Sequence, residues 1–178
     1  MKMININKMK GMTWVAVILL VTAISCKKKN DTSCNTQPGS TVAPANEELL
    51  VTNYMQSNGI TTAVELENSG MYYIIDAPGS GTKPDQCKTL TVKYVGRRQD
   101  NTVFDQTTGS TTVSFILGNL IEGWKRSLPL IAAGGKIRLY IPPSLHYGPN
   151  GLQNRNTGEI IIPANQIITF DIELVAVQ

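Results

Sequence analysis

The sequence predicts an α+β domain in which a curved antiparallel β-sheet wraps around one short α-helix, with a further helix before it. Ile121, Trp124 and Leu128 are spaced i, i+3 and i+7, so they share one face of a helix that Pro129 ends after about two turns. A helix this short is not stable alone in water, and segments of alternating apolar residues flank it on both sides. We therefore expect the sheet to cover the helix and to leave the Trp124 ring as the floor of an apolar pocket.

The charge of the chain argues against one class of partner. Its 178 residues are 42% hydrophobic, which is typical of a globular domain with a substantial core. The net charge of +3 comes from six lysines within residues 1–29, and residues 30–178 carry 10 basic residues against 13 acidic ones. A nucleic-acid-binding protein needs a concentrated basic face, so no nucleic-acid partner is expected.

The N-terminus is typical of a bacterial export signal. Residues 1–25 begin with lysines and continue into the apolar run Met12 to Ile24, which at 13 residues is too short to span a bilayer. Small residues then precede Cys26, an arrangement that resembles a lipoprotein box, in which the cysteine becomes the lipidated first residue. We expect residues 1–25 to be removed and Cys26 to anchor the chain to a membrane of the cell envelope; an ordinary cleaved signal is the alternative.

Residues 26–46 are predicted to form a flexible tether, because they are polar and contain almost nothing apolar to bury. With Cys26 set aside, two cysteines remain, and an exported protein lies where disulfides persist. We therefore predict a Cys34–Cys87 bridge that pins the tether to the domain, with two free thiols as the alternative.

The first elements after the tether are a helix and a strand. Residues 47–60 predict an amphipathic helix, with Glu47 and Glu48 in its first turn and Gly59 at its end. Residues 71–75 predict a strand that ends at the glycine-rich segment 78–81. That segment lacks the third glycine, the lysine and the following helix of a phosphate-binding loop, so it is interpreted as a turn.

The main domain covers residues 71–178. Residues 90–95 predict a half-buried strand, and Asp100-Asn101 predicts the turn into its hairpin partner. Residues 113–117 and 137–141 alternate in the same way on either side of the central helix. A long loop with a polar tip from Asn150 to Glu159 follows, and the continuous apolar character of residues 167–177 predicts a central strand.

Seven motifs occur between residues 71 and 177, and their joint order and spacing are specific where no single motif would be. The motifs are Val92–Gly96, Thr102–Asp105, Leu120–Trp124, Gly135-Lys136 followed by Ile141–Pro143, Tyr147-Gly148, Ile161–Pro163 and Thr169–Leu174. In this order they resemble the FKBP-type peptidyl-prolyl cis-trans isomerases, and above all the bacterial lipoprotein members similar to macrophage infectivity potentiator.

The resemblance implies an isomerase that rotates X-Pro bonds without a cofactor or a metal. Its implied partners are proline-containing polypeptides and the macrolide inhibitors of the family. Catalytic or carbonyl-binding roles are implied for Asp105, Ile121 and Tyr147. The side chains implied to surround the bound proline are Tyr94, Phe104, Val113, Phe115, Leu120, Trp124, Ile162 and Phe170.

Two departures from the family pattern concern the edges of this pocket. Val113 stands where many members have an aromatic residue, which implies a lower wall. The loop at residues 150–159 is longer and more polar than usual, and the histidine often found there is missing, since His146 precedes Tyr147 instead. Both departures are expected to affect substrate preference more than the central pocket.

Two other classes of function stay open at this stage. The same pocket could serve a non-catalytic envelope chaperone or peptide-binding module, and the chain could also be a purely structural envelope lipoprotein. A metal enzyme is disfavoured, because the chain has one histidine and no cluster of acids or thiols at ligand spacing. A serine hydrolase is disfavoured because no nucleophile elbow is present.

Overall fold

The computed structural model describes residues 37–178. The leader, Cys26 and Cys34 lie outside these residues. The described part of the chain forms two α-helices and nine β-strands. The elements are α1 (Ala45–Ser57), β1 (Val64–Glu65), β2 (Tyr72–Ala77), β3 (Thr89–Arg98), β4 (Val103–Gln106), β5 (Val113–Ile116), α2 (Glu122–Ser127), β6 (Gly135–Ile141), β7 (Leu152–Gln153), β8 (Ile160–Ile162) and β9 (Ile168–Val177).

Seven strands form one antiparallel sheet in the order β1-β2-β6-β9-β3-β4, with β5 also paired to β3. The predicted central strand is confirmed, since β9 pairs with β3 from Ile168 to Val177 and with β6 from Ile168 to Leu174. Its residues Ile168, Ile172 and Leu174 are at most 3% exposed. This burial explains why the segment contains few polar residues.

The two faces of the sheet carry two separate hydrophobic clusters. Because side chains alternate along a strand, Leu139 of β6 belongs to the main core, whereas its neighbour Tyr140 packs in the smaller cluster with Val51 and Met55 of α1. Helix α2 contributes Trp124 to the main core. The predicted α+β class, with one short helix against the sheet and a helix before it, is therefore confirmed.

Helix α2 approaches the sheet closely because Gly123 has no side chain. A Cβ atom at this position would lie 2.7 Å from Cδ1 and 2.9 Å from Cγ2 of Ile141, which is closer than such atoms can come. The helix ends at Ser127, and Pro129 follows within a 3-10 turn, Leu128–Leu130. This ending agrees with the expected effect of a proline that cannot donate a backbone hydrogen bond.

The glycine-rich segment after β2 is a turn, as predicted. Gly79 adopts a φ of +73°, and a Cβ atom there would lie 2.4 Å from the carbonyl oxygen of Ala132. The backbone N–H of Ala132 donates to the carbonyl of Pro78 at 2.8 Å. The segment therefore packs closely against the turn that follows α2 and is hydrogen-bonded to it.

Part of the predicted tether is packed against the domain. Ala43 is 6% exposed, and its N–H donates to the carbonyl of Ser69 at 2.9 Å. The guanidinium of Arg126 donates to the carbonyl of Thr41 at 2.8 Å. Helix α1 begins at Ala45. Residues 41–46 are therefore held against the domain and do not form part of a flexible tether. The contacts depend on partners far along the chain, which the polar composition of this segment does not reveal.

The long loop after Tyr147 contains a small sheet of its own. Strands β7 and β8 pair antiparallel, with Leu152 opposite Ile162. The turn between them is closed by the N–H of Asn154, which donates to the carbonyl of Glu159 at 2.9 Å. The polar tip was expected to be a loop, and the backbone bonds make it the end of a hairpin.

No helix within residues 37–178 has both the length and the apolar character required to cross a bilayer.

Candidate active site

A cavity of about 400 Å³ opens beside α2 on the core face of the large sheet. Another cavity, of about 420 Å³, has charged residues at half of its lining positions, among them Lys136 and Glu173, which form an ion pair with each other. Aromatic residues surround the cavity of about 400 Å³ beside α2. Its lining residues are Tyr94, Phe104, Asp105, Phe115, Asn119, Leu120, Ile121, Trp124, Tyr147 and Phe170.

Trp124 is the central side chain of this cavity and is 4% exposed. Three rings stand nearly perpendicular to its indole: Phe170 at 5.1 Å, Tyr94 at 5.5 Å and Phe115 at 6.4 Å between ring centroids. Edge-to-face pairs of this kind stabilise a fixed ring orientation. The indole is therefore held rigidly among the walls of the cavity, as the spacing of Ile121, Trp124 and Leu128 predicts.

A glycine on β3 creates the space for two of the walls. Gly96 is opposite Phe170 in the β3–β9 pairing. A Cβ atom at Gly96 would lie 2.7 Å from Cζ of Phe104 and 2.8 Å from Cε1 of Phe170. With no side chain there, the two rings pack edge to face at 5.6 Å. The packing of both rings thus depends on a residue that does not line the cavity.

The polar side of the cavity contains one carboxylate and two phenols. The Tyr94 hydroxyl donates to Oδ2 of Asp105 at 2.5 Å. Burial and the neighbouring Asp105 raise the pKa of Tyr94. Burial, and to a smaller extent Asp105, also raises the pKa of Tyr147. Both phenols are consequently neutral hydrogen-bond donors at physiological pH.

Ile121 occupies the residue before the first turn of α2. Its extended backbone (φ −60°, ψ 154°) directs its carbonyl into the helix, where it accepts the N–H groups of Trp124 and Lys125 at 3.0 and 3.2 Å. Within residues 37–178, the N–H of Ile121 itself has no hydrogen-bond acceptor. An unpaired N–H on a cavity wall can donate to the carbonyl of a bound ligand.

Nine of the eleven side chains implied by the family resemblance meet at this cavity, and two do not. Val113 of β5 is half-buried and packs against the main core, paired with Val92. Ile162 of β8 is 1% exposed and also belongs to the core. The structure adds Asn119 to the lining, a residue that lies directly before the motif Leu120–Trp124. A polar side chain directly ahead of Leu120 was the available signal.

His146 lies immediately before Tyr147, and the two rings are 5.8 Å apart. Burial lowers the pKa of His146 to about 4, and a backbone interaction with Gln166 opposes this shift only in part. The imidazole is therefore neutral in the folded protein at physiological pH. Its position ties the stability of the Tyr147 loop to pH.

We expect the free energy of unfolding to fall as the pH drops from about 6.5 to about 4, because the unfolded chain binds a proton at this histidine before the folded chain does. Above pH 6.5 the contribution is fully present, and over the whole interval the loss reaches at most about 3 kcal/mol. Urea titrations of the wild type and of His146→Phe at several pH values measure this. If the free energy of unfolding depended on pH equally in the two proteins, the lowered pKa of His146 would be contradicted.

Comparison with known proteins places this cavity in a family context. Residues 80–175 match the model of the family described as FKBP-type peptidyl-prolyl cis-trans isomerase. FkpA of Aeromonas hydrophila is 31% identical over 126 residues, which are 70% of this chain and 44% of that protein. Outer membrane protein MIP of Legionella longbeachae is 33% identical over 126 residues, which are 70% of this chain and 52% of that protein. The chain thus spans about half the length of these relatives.

Solved structures agree with the sequence comparison. The crystal structure of a peptidyl-prolyl cis-trans isomerase from Pseudomonas syringae pv. tomato matches with a TM-score of 0.62 at 31% identity, covering 78% of this chain and 98% of that one. The structure of FkpA from Escherichia coli also gives a TM-score of 0.62, at 33% identity, covering 75% and 60%. The residues that match the family model, 80–175, include every residue that lines the cavity. The chain belongs to the FKBP-type peptidyl-prolyl cis-trans isomerase family.

Proposed function

We propose that this protein is a peptidyl-prolyl cis-trans isomerase that accelerates rotation about X-Pro bonds in exported polypeptides. The observation that carries the proposal is the aromatic cavity with Trp124 at its floor, which lies within the residues that match the family model. Its lining includes one ionisable carboxylate, Asp105, and otherwise aromatic, aliphatic and neutral polar side chains. Such a cavity suits a proline ring and the uncharged amide beside it.

The proposed mechanism requires no bond to break. Amide resonance opposes rotation with a barrier of about 18–20 kcal/mol, and X-Pro bonds exchange over tens to hundreds of seconds. The planar amide has more charge separation than the twisted amide, so transfer from water into an apolar cavity raises the energy of the planar form more. The cavity therefore favours the transition state over the bound substrate, and each ~1.4 kcal/mol of this preference increases the rate tenfold.

Three residues have proposed polar roles in this reaction. The N–H of Ile121 and the hydroxyl of Tyr147 donate hydrogen bonds to carbonyl groups of the substrate. Asp105 orients the Tyr94 hydroxyl, to which it is bonded at 2.5 Å, and faces the twisted amide. The aromatic rings and Leu120 enclose the proline ring, and Asn119 also lines the cavity.

The experiment that tests the function is refolding of a protein whose folding is limited by a prolyl bond. We expect the purified chain to accelerate the slow phase catalytically, at a small fraction of the concentration of the refolding protein. A macrolide of the family should abolish this acceleration and quench the fluorescence of Trp124. Macrolide binding without acceleration would instead indicate the non-catalytic peptide-binding module. The absence of both binding and acceleration would indicate a structural lipoprotein.

We also propose that the chain is held in the cell envelope by lipid attached to Cys26. The supporting features are the leader at residues 1–25 and the resemblance to a relative named as an outer membrane protein. An inhibitor of the lipoprotein signal peptidase should cause the full precursor to accumulate, and Cys26→Ser should release the protein from membranes. Normal processing in the presence of the inhibitor would contradict the anchor.

The predicted Cys34–Cys87 bridge is proposed as well. Cys87 is exposed, and it is the sole cysteine within residues 37–178. Alkylation of the protein without reductant should leave Cys87 unmodified, whereas Cys34→Ser should make it reactive. Modification of Cys87 in the unreduced wild type would contradict the bridge.

A further inference from the structure

Gln86 lies in the loop between β2 and β3, away from the cavity lining, and is 8% exposed. Its Nε2 donates to the carbonyl of Lys125 on α2 at 2.9 Å. Its own backbone carbonyl accepts the N–H of Gly118 at 2.9 Å, and the carbonyl of Lys88 accepts the N–H of Leu117 at 3.0 Å. One buried residue thus joins the end of α2 to the turn that precedes α2.

The carbonyl of Lys125 needs this partner for a reason that the sequence explains. In a continuing helix its acceptor site would be filled by the N–H of the residue four positions later. That residue is Pro129, which has no N–H. The side chain of Gln86 supplies the missing donor from another part of the fold.

We propose that Gln86 is a positioning residue for the isomerase reaction. The two points that it joins, Gly118 and Lys125, lie on either side of Asn119, Leu120, Ile121 and Trp124, the four cavity-lining residues of this segment. It therefore fixes the distance between the indole floor and the rim that carries the N–H of Ile121. This inference rests on the isomerase function proposed above.

The effect of Gln86 is tested by removing its donor without changing its volume. Gln86→Met should lower kcat/KM on a chromogenic tetrapeptide with one X-Pro bond by about tenfold, mainly through kcat, because displaced reacting groups lose transition-state stabilisation. Gln86→Glu should lower it at least as much near pH ~8, where an ionised carboxylate faces the Lys125 carbonyl and cannot donate. Near pH ~5 the protonated carboxyl has the shape and the donor of glutamine, so the activity relative to wild type should recover.

A matched control separates positioning from stability. Ser127→Ala also removes a buried side-chain donor to an α2 carbonyl, since the Ser127 hydroxyl donates to Gly123 at 2.7 Å, but this bond stays within the helix. We expect it to lower the melting temperature as much as Gln86→Met does while leaving kcat/KM unchanged. In the full chain carrying Trp14→Phe, the emission of Trp124 should shift for Gln86→Met and not for Ser127→Ala.

The outcomes are distinguishable from a failure of the proposed function. An active wild type with unchanged kcat/KM and emission in both Gln86 variants would overturn the positioning role, as would a Gln86→Glu activity ratio that does not change with pH. An inactive wild type would overturn the isomerase function instead. In that case the Trp124 emission alone decides whether Gln86 sets the geometry of the cavity.

Discussion

Replacement of Trp124 by alanine should lower the kcat/KM of the proposed isomerase activity by on the order of a hundredfold and destabilise the fold by about 3–5 kcal/mol. The indole is 4% exposed and is in contact with three rings that surround the cavity. Its removal opens the floor, so water reaches the bound amide and the preference for the twisted form is lost. Activity should be measured on the folded fraction, at a temperature well below the unfolding transition of the variant.

Leu128→Ala is the matched control for this prediction. Leu128 follows the same helix and is completely buried, but it does not line the cavity. We expect a similar loss of stability, about 2–5 kcal/mol, with kcat/KM retained within about twofold. If both variants lost activity in proportion to their stability, the indole would be a core residue and the desolvation mechanism would be wrong.

Gly96→Ala should destabilise the protein by about 2 kcal/mol and reduce kcat/KM about tenfold, although the residue does not line the cavity. A Cβ atom there would lie less than 3 Å from the rings of Phe104 and Phe170, both of which are cavity walls. One or both rings must therefore move into the space that the substrate occupies. Urea denaturation and steady-state kinetics on the tetrapeptide measure the two effects.

The double variant Gly96→Ala with Phe104→Leu tests the cause. A smaller side chain at residue 104 removes the closest clash, so the double variant should be more stable than the sum of the two single losses predicts. Additive losses would show that the Cβ atom disturbs the β3 strand itself and not the rings.

The sequence predicts the central features of the fold because those features are local or periodic. The spacing of Ile121, Trp124 and Leu128 within eight residues reveals the buried face of α2, and the apolar run at residues 167–177 reveals the central strand. The wall residues are recognisable because the family motifs preserve their order along the chain. Asp105 and Tyr147 could be predicted in the same way, as parts of motifs and not from charge or burial.

The remaining features depend on contacts between distant residues. The space that Gly96 leaves concerns Phe170, which is 74 positions away, and nothing near Gly96 in the sequence indicates it. The bond from Gln86 to Lys125 crosses 39 positions. Ile162 was expected at the cavity because of its motif, but the β7–β8 pairing buries it in the core. Long-range pairing decides which of several apolar neighbours reaches the site.

The position of β9 has a consequence for the folding of the chain during its synthesis. This strand follows all the other strands of the sheet along the chain, and yet it lies in the middle of the large sheet, where it connects β6 to β3. Until residue 177 has left the ribosome, the two halves of the sheet have no template that joins them, and their apolar edges are exposed. The sheet of the nascent chain consequently remains open until β9 has emerged. A truncation of only the last ten residues should therefore yield an aggregating chain and not a smaller folded domain.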